Sequence, residues 1–367
     1  MDTREPKVFT TQLAGRPFVV EIGELARQAN GSALVRYGDT VVLVTATASR
    51  QPREGVDFLP LRVDWEERLY AAGRIPHSFF RREGRPSERA ILSGRLTDRP
   101  LRPLFPKGFR HDVQIVVTTL SYDDDNLPEI GAIFGASTAL HISDIPFEKP
   151  VAAVMVGLID GQFVLNPTAA QRSQSAMELW VAGTEDAVLM IECGAKEVPE
   201  EVVLDGVFFG HEAIKELVAF QKEIIAQFPR EKMPFSPPEV PEELQAAVEE
   251  YREKLRAALF HPDKQAREKA TEAAKQEILQ ALAERFPGQE ALASWALDQL
   301  EKRIVRQAIL EEGVRPDGRR PEEIRPIYCK VGFLPRAHGS GLFTRGQTQV
   351  LTVASLGSVG DRQVSSS

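Results

Sequence analysis

The chain has 367 residues, 43% hydrophobic and 27% charged, with 26 glycines, 25 prolines and a formal net charge of −8. That composition excludes a collagenous, disulfide-stapled or mostly disordered chain, and the length suits two or three domains. No apolar run reaches the roughly 18–20 residues a membrane span needs, and the opening Met1-Asp2-Thr3-Arg4-Glu5 shows no secretory signal. The two cysteines, Cys193 and Cys329, read as reduced thiols, and the overall acidity argues against nucleic acid as a partner.

In chain order, 18–22, 33–36 and 40–49 read as strands, the last two joined as a hairpin at Tyr37-Gly38-Asp39. Charge then concentrates. Between Arg74 and Arg110 lie ten basic residues, nine of them arginine, against Glu83, Glu88 and Asp98, a local excess of seven positive charges. Such an excess is the footprint of a polyanion site, and arginine forks grip phosphate bidentately. Phe79-Phe80 precedes Arg81-Arg82 in a loop bounded by Pro76 and Gly84, and exposed aromatics beside arginines hold single-stranded nucleic acid by stacking. The alternatives are a solvated helix face laced with ion pairs, and a Phe-Phe pair that belongs to the core. Ser87 predicts the N-cap of a helix over 88–99, ended by Pro100, with Arg95 and Arg99 on one face.

A strand at 113–122 follows, then Asp123-Asp124-Asp125, read as a solvated loop rather than a metal cluster because adjacent acids do not all converge on one ion. A helix over 128–143 carries small residues that permit close packing on a sheet. Strands at 151–159 and 162–165 flank Asp160-Gly161, a two-residue hairpin signal. Strands at 177–182 and 188–193 and a helix over 199–228 complete an α+β domain. Prolines at 229, 234, 237, 238 and 241 predict an extended linker. From 241 to 312 the texture is helical and acidic, and breaks at His261-Pro262-Asp263 and Phe286-Pro287-Gly288 predict three helices. After a loop over 313–320 strands return.

The last segment repeats the first. Residues 31–46 align without gaps on 339–354 with eight of sixteen positions identical, and Gly23-x-Leu25-x-Arg27 recurs as Gly332-x-Leu334-x-Arg336. The protein therefore reads as a duplicated α+β core with a helical insert.

With that organisation, the strings Phe79-Phe80-Arg81-Arg82-Glu83-Gly84-Arg85-Pro86-Ser87-Glu88 and Leu96-Thr97-Asp98-Arg99-Pro100-Leu101-Arg102-Pro103-Leu104-Phe105-Pro106 resemble bacterial polynucleotide phosphorylase. So do Val181-Ala182-Gly183-Thr184, Phe209-Gly210-His211 and Arg315-x-Asp317-Gly318-Arg319. The resemblance implies an RNase PH-type core (ribosomal protein S5 domain 2-like) over 1–230, a linker over 231–240, an all-helical domain over 241–312 and the incomplete start of a second core over 313–367. It implies a cytoplasmic enzyme of mRNA turnover, a homotrimer when full length, with components of an RNA-degradation complex as further partners and no membrane. The family degrades single-stranded RNA from the 3′ end with inorganic phosphate as co-substrate and Mg2+ as cofactor, releasing nucleoside diphosphates. On this reading Phe79 and Phe80 stack on bases and Arg81, Arg82 and Arg85 hold phosphates. Arg89, Arg95, Arg99 and Arg102 join the RNA-binding group, although Arg99 and Arg102 have bracing the fold as an alternative role.

Phosphorolysis needs a phosphate cradle, a carboxylate-held metal and an in-line RNA end. In the family these sit mostly in the second core, in a Gly-Ser-Ser-Ser stretch opening a helix and an Asp-Met-Asp-Phe-Lys string. The first core carries Asp125-Asn126-Leu127-Pro128-Glu129-Ile130 and Ala176-Met177-Glu178-Leu179-Trp180 at the corresponding places. Pro128 removes an N–H, Glu129 puts a negative charge where an anion would sit, and Glu178 is a lone carboxylate. No catalytic residue and no metal ligand is therefore expected within the chain. Their equivalents are expected beyond Ser367, and the chain as written is expected to be inactive. A non-catalytic RNA-binding ring subunit is the alternative function, and an α+β protein whose arginines only make ion pairs is a third. The strands near the Val364-Ser365-Ser366-Ser367 end are expected to be poorly ordered, mispaired or aggregation-prone.

Overall fold

The computed structural model describes residues 5–361 apart from 54, 57, 78, 236 and 238, so the readings placed on 1–4 and 364–367 lie outside the described residues. The chain divides into two compact units, Met1–Pro237 and Pro238–Ser367.

The first unit opens with β1 (Lys7–Leu13), β2 (Arg16–Ile22), β3 (Gly31–Tyr37) and β4 (Thr40–Pro52), each antiparallel to the next. β5 (Leu61–Glu67), α1 (Glu88–Leu101) and β6 (His111–Ser121) follow, with β5 and β6 parallel, and complete a sheet of order β1-β2-β3-β4-β6-β5. β1 and β5 were not evident in the sequence. β1 is a half-exposed edge strand with polar residues along it, while β5 alternates Leu61, Val63 and Trp65 with charged residues over only seven positions. Pro100 does not end α1: the helix runs to Leu101 with Pro100 buried inside it. The missing N–H falls in the last turn, where it forfeits a single bond.

α2 (Pro128–His141) leads into a second, antiparallel sheet built from β7 (Ala152–Ile159), β8 (Gln162–Leu165), β9 (Met177–Gly183) and β10 (Val188–Ala195), in the order β10-β9-β7-β8. A short α3 (Ala169–Gln174) with a capping box precedes β9, and α4 (Glu200–Ala226) packs on β7 and β9. Every α2 residue from Pro128 to Leu140 is buried. Its small residues make this possible: a Cβ on Gly135 would lie 2.8 Å from Val44 Cγ2 and 3.1 Å from Val35 Cγ2. α2 and α4 are joined by a satisfied buried network. Ser137 Oγ donates to Gln221 Oε1 at 2.8 Å, and Gln221 Nε2 donates to the Phe134 carbonyl at 2.9 Å and to Thr138 Oγ1 at 3.0 Å. Within the proline-rich stretch, Lys232 donates to the Leu140, His141 and Ser143 carbonyls, capping the end of α2, and Phe235 packs edge-on against Phe109.

The second unit begins with α5 (Glu242–Glu249), α6 (Arg252–Leu259), α7 (Lys264–Arg285) and α8 (Glu290–Gln307), four helices where three were expected. The extra break, at Glu250-Tyr251, re-aims the chain so that Leu244 and Val248 before it and Leu255 and Leu259 after it reach one core with Ile278, Leu282, Leu297 and Leu300. A π turn over Ala308–Glu312 ends at Gly313, whose φ of 66° closes the helix.

Then β11 (Ile327–Val331), β12 (Gly339–Arg345) and β13 (Thr348–Ala354) form an antiparallel sheet. The repeat read from the sequence is reproduced residue for residue. Gly31 pairs with Ala46 and Tyr37 with Thr40, while Gly339 pairs with Ala354 and Arg345 with Thr348. The first turn residue has φ of 56° at Gly38 and 62° at Gly346. The described tail strands are thus not mispaired: a turn glycine and an alternating pattern fix their register. In the first unit α2 covers the β3–β4 face, whereas the matching Phe343 and Val350 are exposed.

Candidate nucleic-acid interface

Between β5 and α1 the chain makes a 3-10 turn, Leu69–Ala72, and then runs to Ser87 with no helix or strand among the described residues. Ser87 caps α1 as its sequence predicts, its Oγ accepting the Ala90 N–H at 3.0 Å. The same hydroxyl donates to Glu67 Oε2 at 2.5 Å, which joins the two ends of the loop. At its tip Phe79 is 92% and Phe80 77% exposed, their rings edge-on with centroids 5.3 Å apart. Arg81 beside them has φ of 51°, a left-handed conformation that is uncommon outside glycine. Burying each ring would gain about 1.5–3 kcal/mol, and within its unit neither ring finds that burial. These two side chains do not belong to the core. Phe80, Arg82, Gly84 and Arg85 line an open depression of about 620 Å³ with Glu66, Arg68 and Glu83.

The structure brings Phe79, Phe80, Arg81, Arg82 and Arg85 together and disperses the other four predicted arginines along and after α1. Arg89 is half-buried, its guanidinium 5.7 Å from the centre of the Tyr122 ring. Burial pulls its pKa down, but the Glu129 charge and the contact with Tyr122 outweigh that and leave it raised. Arg95 is exposed beside Ile91 and Leu92. Arg99 pairs with Glu192 on β10. Arg102 grips Asp98 with two bonds, of 2.9 and 2.8 Å, and donates to the Leu59 and Leu61 carbonyls at 3.1 and 3.2 Å. Arg99 and Arg102 thus make ion pairs within the fold, contacts of the kind the second role considered for them requires. Counting acids only within the segment overlooked Glu192, which lies 93 residues from Arg99 in sequence. Arg68 and Glu66 were missed for a related reason: both precede the charge run.

The first-core places that correspond to the family's phosphate and metal strings hold other residues. Glu129, at the start of α2, is 6% exposed; its Oε1 accepts from Ser93 Oγ at 2.7 Å and its Oε2 has no partner among the described residues. A buried carboxylate there repels phosphate. Glu178 is exposed on β9. Asp123-Asp124-Asp125 lies in a turn with Asp124 and Asp125 exposed; Asp123 Oδ1 accepts the Asp125 N–H at 2.9 Å, and Asp125 Oδ1 accepts the Ala169 N–H at 2.8 Å. Among the described residues no group of three or more His, Cys, Asp or Glu is placed to hold a metal.

The remaining strings prove to be folding devices. His211 Nε2 lies 2.9 Å from the Thr184 carbonyl, and a Cβ on Gly210 would press on Val156, Val181 and Val154. Arg315-x-Asp317-Gly318-Arg319 is a turn in which Asp317 binds Arg319 Nε at 2.9 Å and Gly318 has φ of 82°. Burial pushes the Asp317 carboxyl up, but hydrogen bonds from Arg319 and the charges of Arg319 and Arg325 outweigh it and leave it below the ordinary carboxylate range.

The model of the 3′ exoribonuclease family, domain 1, matches residues 14–146 and again 323–366, the two copies of the repeat. Domain 2 of that family matches 149–213, and the RNA binding domain of polyribonucleotide nucleotidyltransferase matches 243–320. The chain is 54% identical to the polyribonucleotide nucleotidyltransferase of Syntrophomonas wolfei over 97% of its length and 51% of that protein. It is 54% identical to the Heliobacterium modesticaldum protein, over 98% of this chain and 51% of that one, and 56% identical to the Anoxybacillus flavithermus protein, over 98% and 52%. Among solved structures, rice Rrp46 superposes with a TM-score of 0.48 at 18% identity, over 57% of this chain and 95% of that one. The chain spans about half the length of the curated relatives it matches. Its fold is of the RNase PH type, and the chain belongs to the polyribonucleotide nucleotidyltransferase family.

Proposed function

We propose that the first unit guides single-stranded RNA, with Phe79 and Phe80 stacking on bases and Arg81, Arg82 and Arg85 neutralising phosphates. The observation that carries this reading is a pair of almost fully exposed phenylalanines beside arginines at the tip of a closed loop. Arg95, exposed on α1, is a secondary contact. The reaction served is the family's: phosphorolysis of RNA from its 3′ end to nucleoside diphosphates, with inorganic phosphate as co-substrate and Mg2+ as cofactor. The phosphate cradle and metal ligands belong to the family's second core, because the first unit seats Glu129 at the helix start and leaves Glu178 alone. The homotrimer, the cytoplasmic location and association with RNA-degradation partners come with the family reading. The helical region 243–320 adds RNA contacts on the strength of its family's description.

Binding of a fluorescent single-stranded oligo(A) tests the platform. Replacing both phenylalanines (Phe79→Ala with Phe80→Ala) weakens binding by about 1–3 kcal/mol per stacked base. The salt dependence stays unchanged, since no phosphate contact is lost. Unaltered affinity would count against the reading.

A further inference from the structure

The loop that carries the platform holds an acid whose charge opposes its function. Glu83 lies between Arg82 and Arg85, where on charge alone a carboxylate repels RNA. Its geometry shows another use. Glu83 reaches back across the loop, its Oε1 accepting the Leu69 N–H at 3.2 Å and its Oε2 lying 3.8 Å from Arg68 Nη1. Hydrogen bonds from its own and the Leu69 backbone, together with Arg68, hold the carboxyl below its ordinary pKa. Arg68 is itself steadied by Glu66 at 3.5 Å. With the Ser87–Glu67 bond at the base, this gives the irregular segment two nested closures, each joining the chain before Phe79 and Phe80 to the chain after them. A loop with no regular structure loses order readily unless its ends are tied, and a partner that must order it binds less tightly.

We infer that Glu83 is a positioning residue for RNA recognition, closing the loop onto Leu69 and Arg68 so that Phe79, Phe80 and Arg81 are presented preformed. The gain from presentation exceeds the repulsion its charge exerts on phosphate. This rests on the RNA-guiding reading and adds to it the element that organises the loop.

Two substitutions separate the effects. Glu83→Gln keeps an oxygen to accept the Leu69 N–H but removes the charge, so it binds single-stranded oligo(A) as tightly as the unaltered chain, or more tightly. Glu83→Ala removes both, and binds about fivefold more weakly than Glu83→Gln despite also having lost a negative charge. Glu83→Ala is also cut faster by trypsin after Arg81 and Arg82, while the thermal midpoint of both variants stays that of the unaltered chain because the core is untouched. If Glu83→Ala binds as tightly as Glu83→Gln, the positioning role is wrong. If the Arg81→Ala, Arg82→Ala double variant leaves RNA binding unchanged, the RNA reading itself fails. The tryptic rates then decide the closure alone, with equal cleavage of Glu83→Ala and Glu83→Gln overturning it.

Discussion

At the scale of single residues, the arginines of the basic segment divide by what they touch. Arg102 satisfies a carboxylate and two backbone carbonyls that link α1 to the approach of β5, so its charge serves the fold. Replacing it (Arg102→Ala) is expected to lower stability in urea by about 1–2 kcal/mol while leaving RNA affinity unchanged. A loss of RNA binding without a loss of stability would place Arg102 in the interface instead. Composition reports both kinds of arginine as the same positive charge. Phe79 and Phe80 were likewise readable only as a platform or a core pair, because exposure is decided by the surrounding fold. Their exposures of 92% and 77% exclude the core pair.

Among the elements, α2 governs the first unit. It is buried on all sides, its C-terminal carbonyls are held by Lys232, and His141 sits in its last turn. Burial lowers the His141 pKa to about 4 from 6.5, with Lys232 adding repulsion and a backbone hydrogen bond at Lys149 opposing both. Because the folded-state pKa lies below the unfolded one, the unfolded chain binds the proton more tightly. The contribution of His141 is therefore intact above pH 6.5, is lost as pH falls from 6.5 to about 4, and changes no further below that. It amounts to at most about 3 kcal/mol. Urea unfolding across that range is expected to show a shallower pH slope for His141→Gln than for the unaltered chain, and equal slopes would contradict the assignment.

α2 was legible in the sequence because glycine, alanine and serine recur where a helix must pass close to strands, and Gly131 and Gly135 do meet Val35, Val42 and Val44. The β3–β4 hairpin was legible through Gly38 and its repeat at Gly346. β1 was not, because its polar edge pattern hides it although Gly15 marks its turn, and the break between α5 and α6 was not, since no proline or glycine marks it. At the site, the loop tip was legible from its composition. The closures by Glu67 and Glu83 were not: each depends on a chain reversal that brings side chains 20 and 14 residues apart into contact.

For the molecule as a whole, net charge misleads. The −8 total averages an arginine-rich loop and helix against an acidic helical unit. Within that unit many cations are already paired, as Arg303 is with Glu249 and Arg285 with Glu250. No helix among the described residues is long and apolar enough to cross a membrane. The first unit exposes the proposed RNA platform, Phe79 and Phe80, but seats a carboxylate, Glu129, at the start of α2. A polypeptide of these 367 residues is accordingly expected to release no nucleoside diphosphate from poly(A) with inorganic phosphate and Mg2+. Phosphate-dependent ADP release, followed by chromatography, would contradict that.

The RNA-guiding role of the loop rests most directly on its salt-linked affinity. Titrating single-stranded oligo(A) at several salt concentrations compares the chain with its Arg81→Ala, Arg82→Ala variant. Each phosphate contact contributes about 0.7 to the slope of log affinity against log salt for a single strand. The double variant is expected to bind more weakly and to lose about 1.4 from that slope, the share of two phosphates. Equal affinities and equal slopes would show that RNA does not meet this loop.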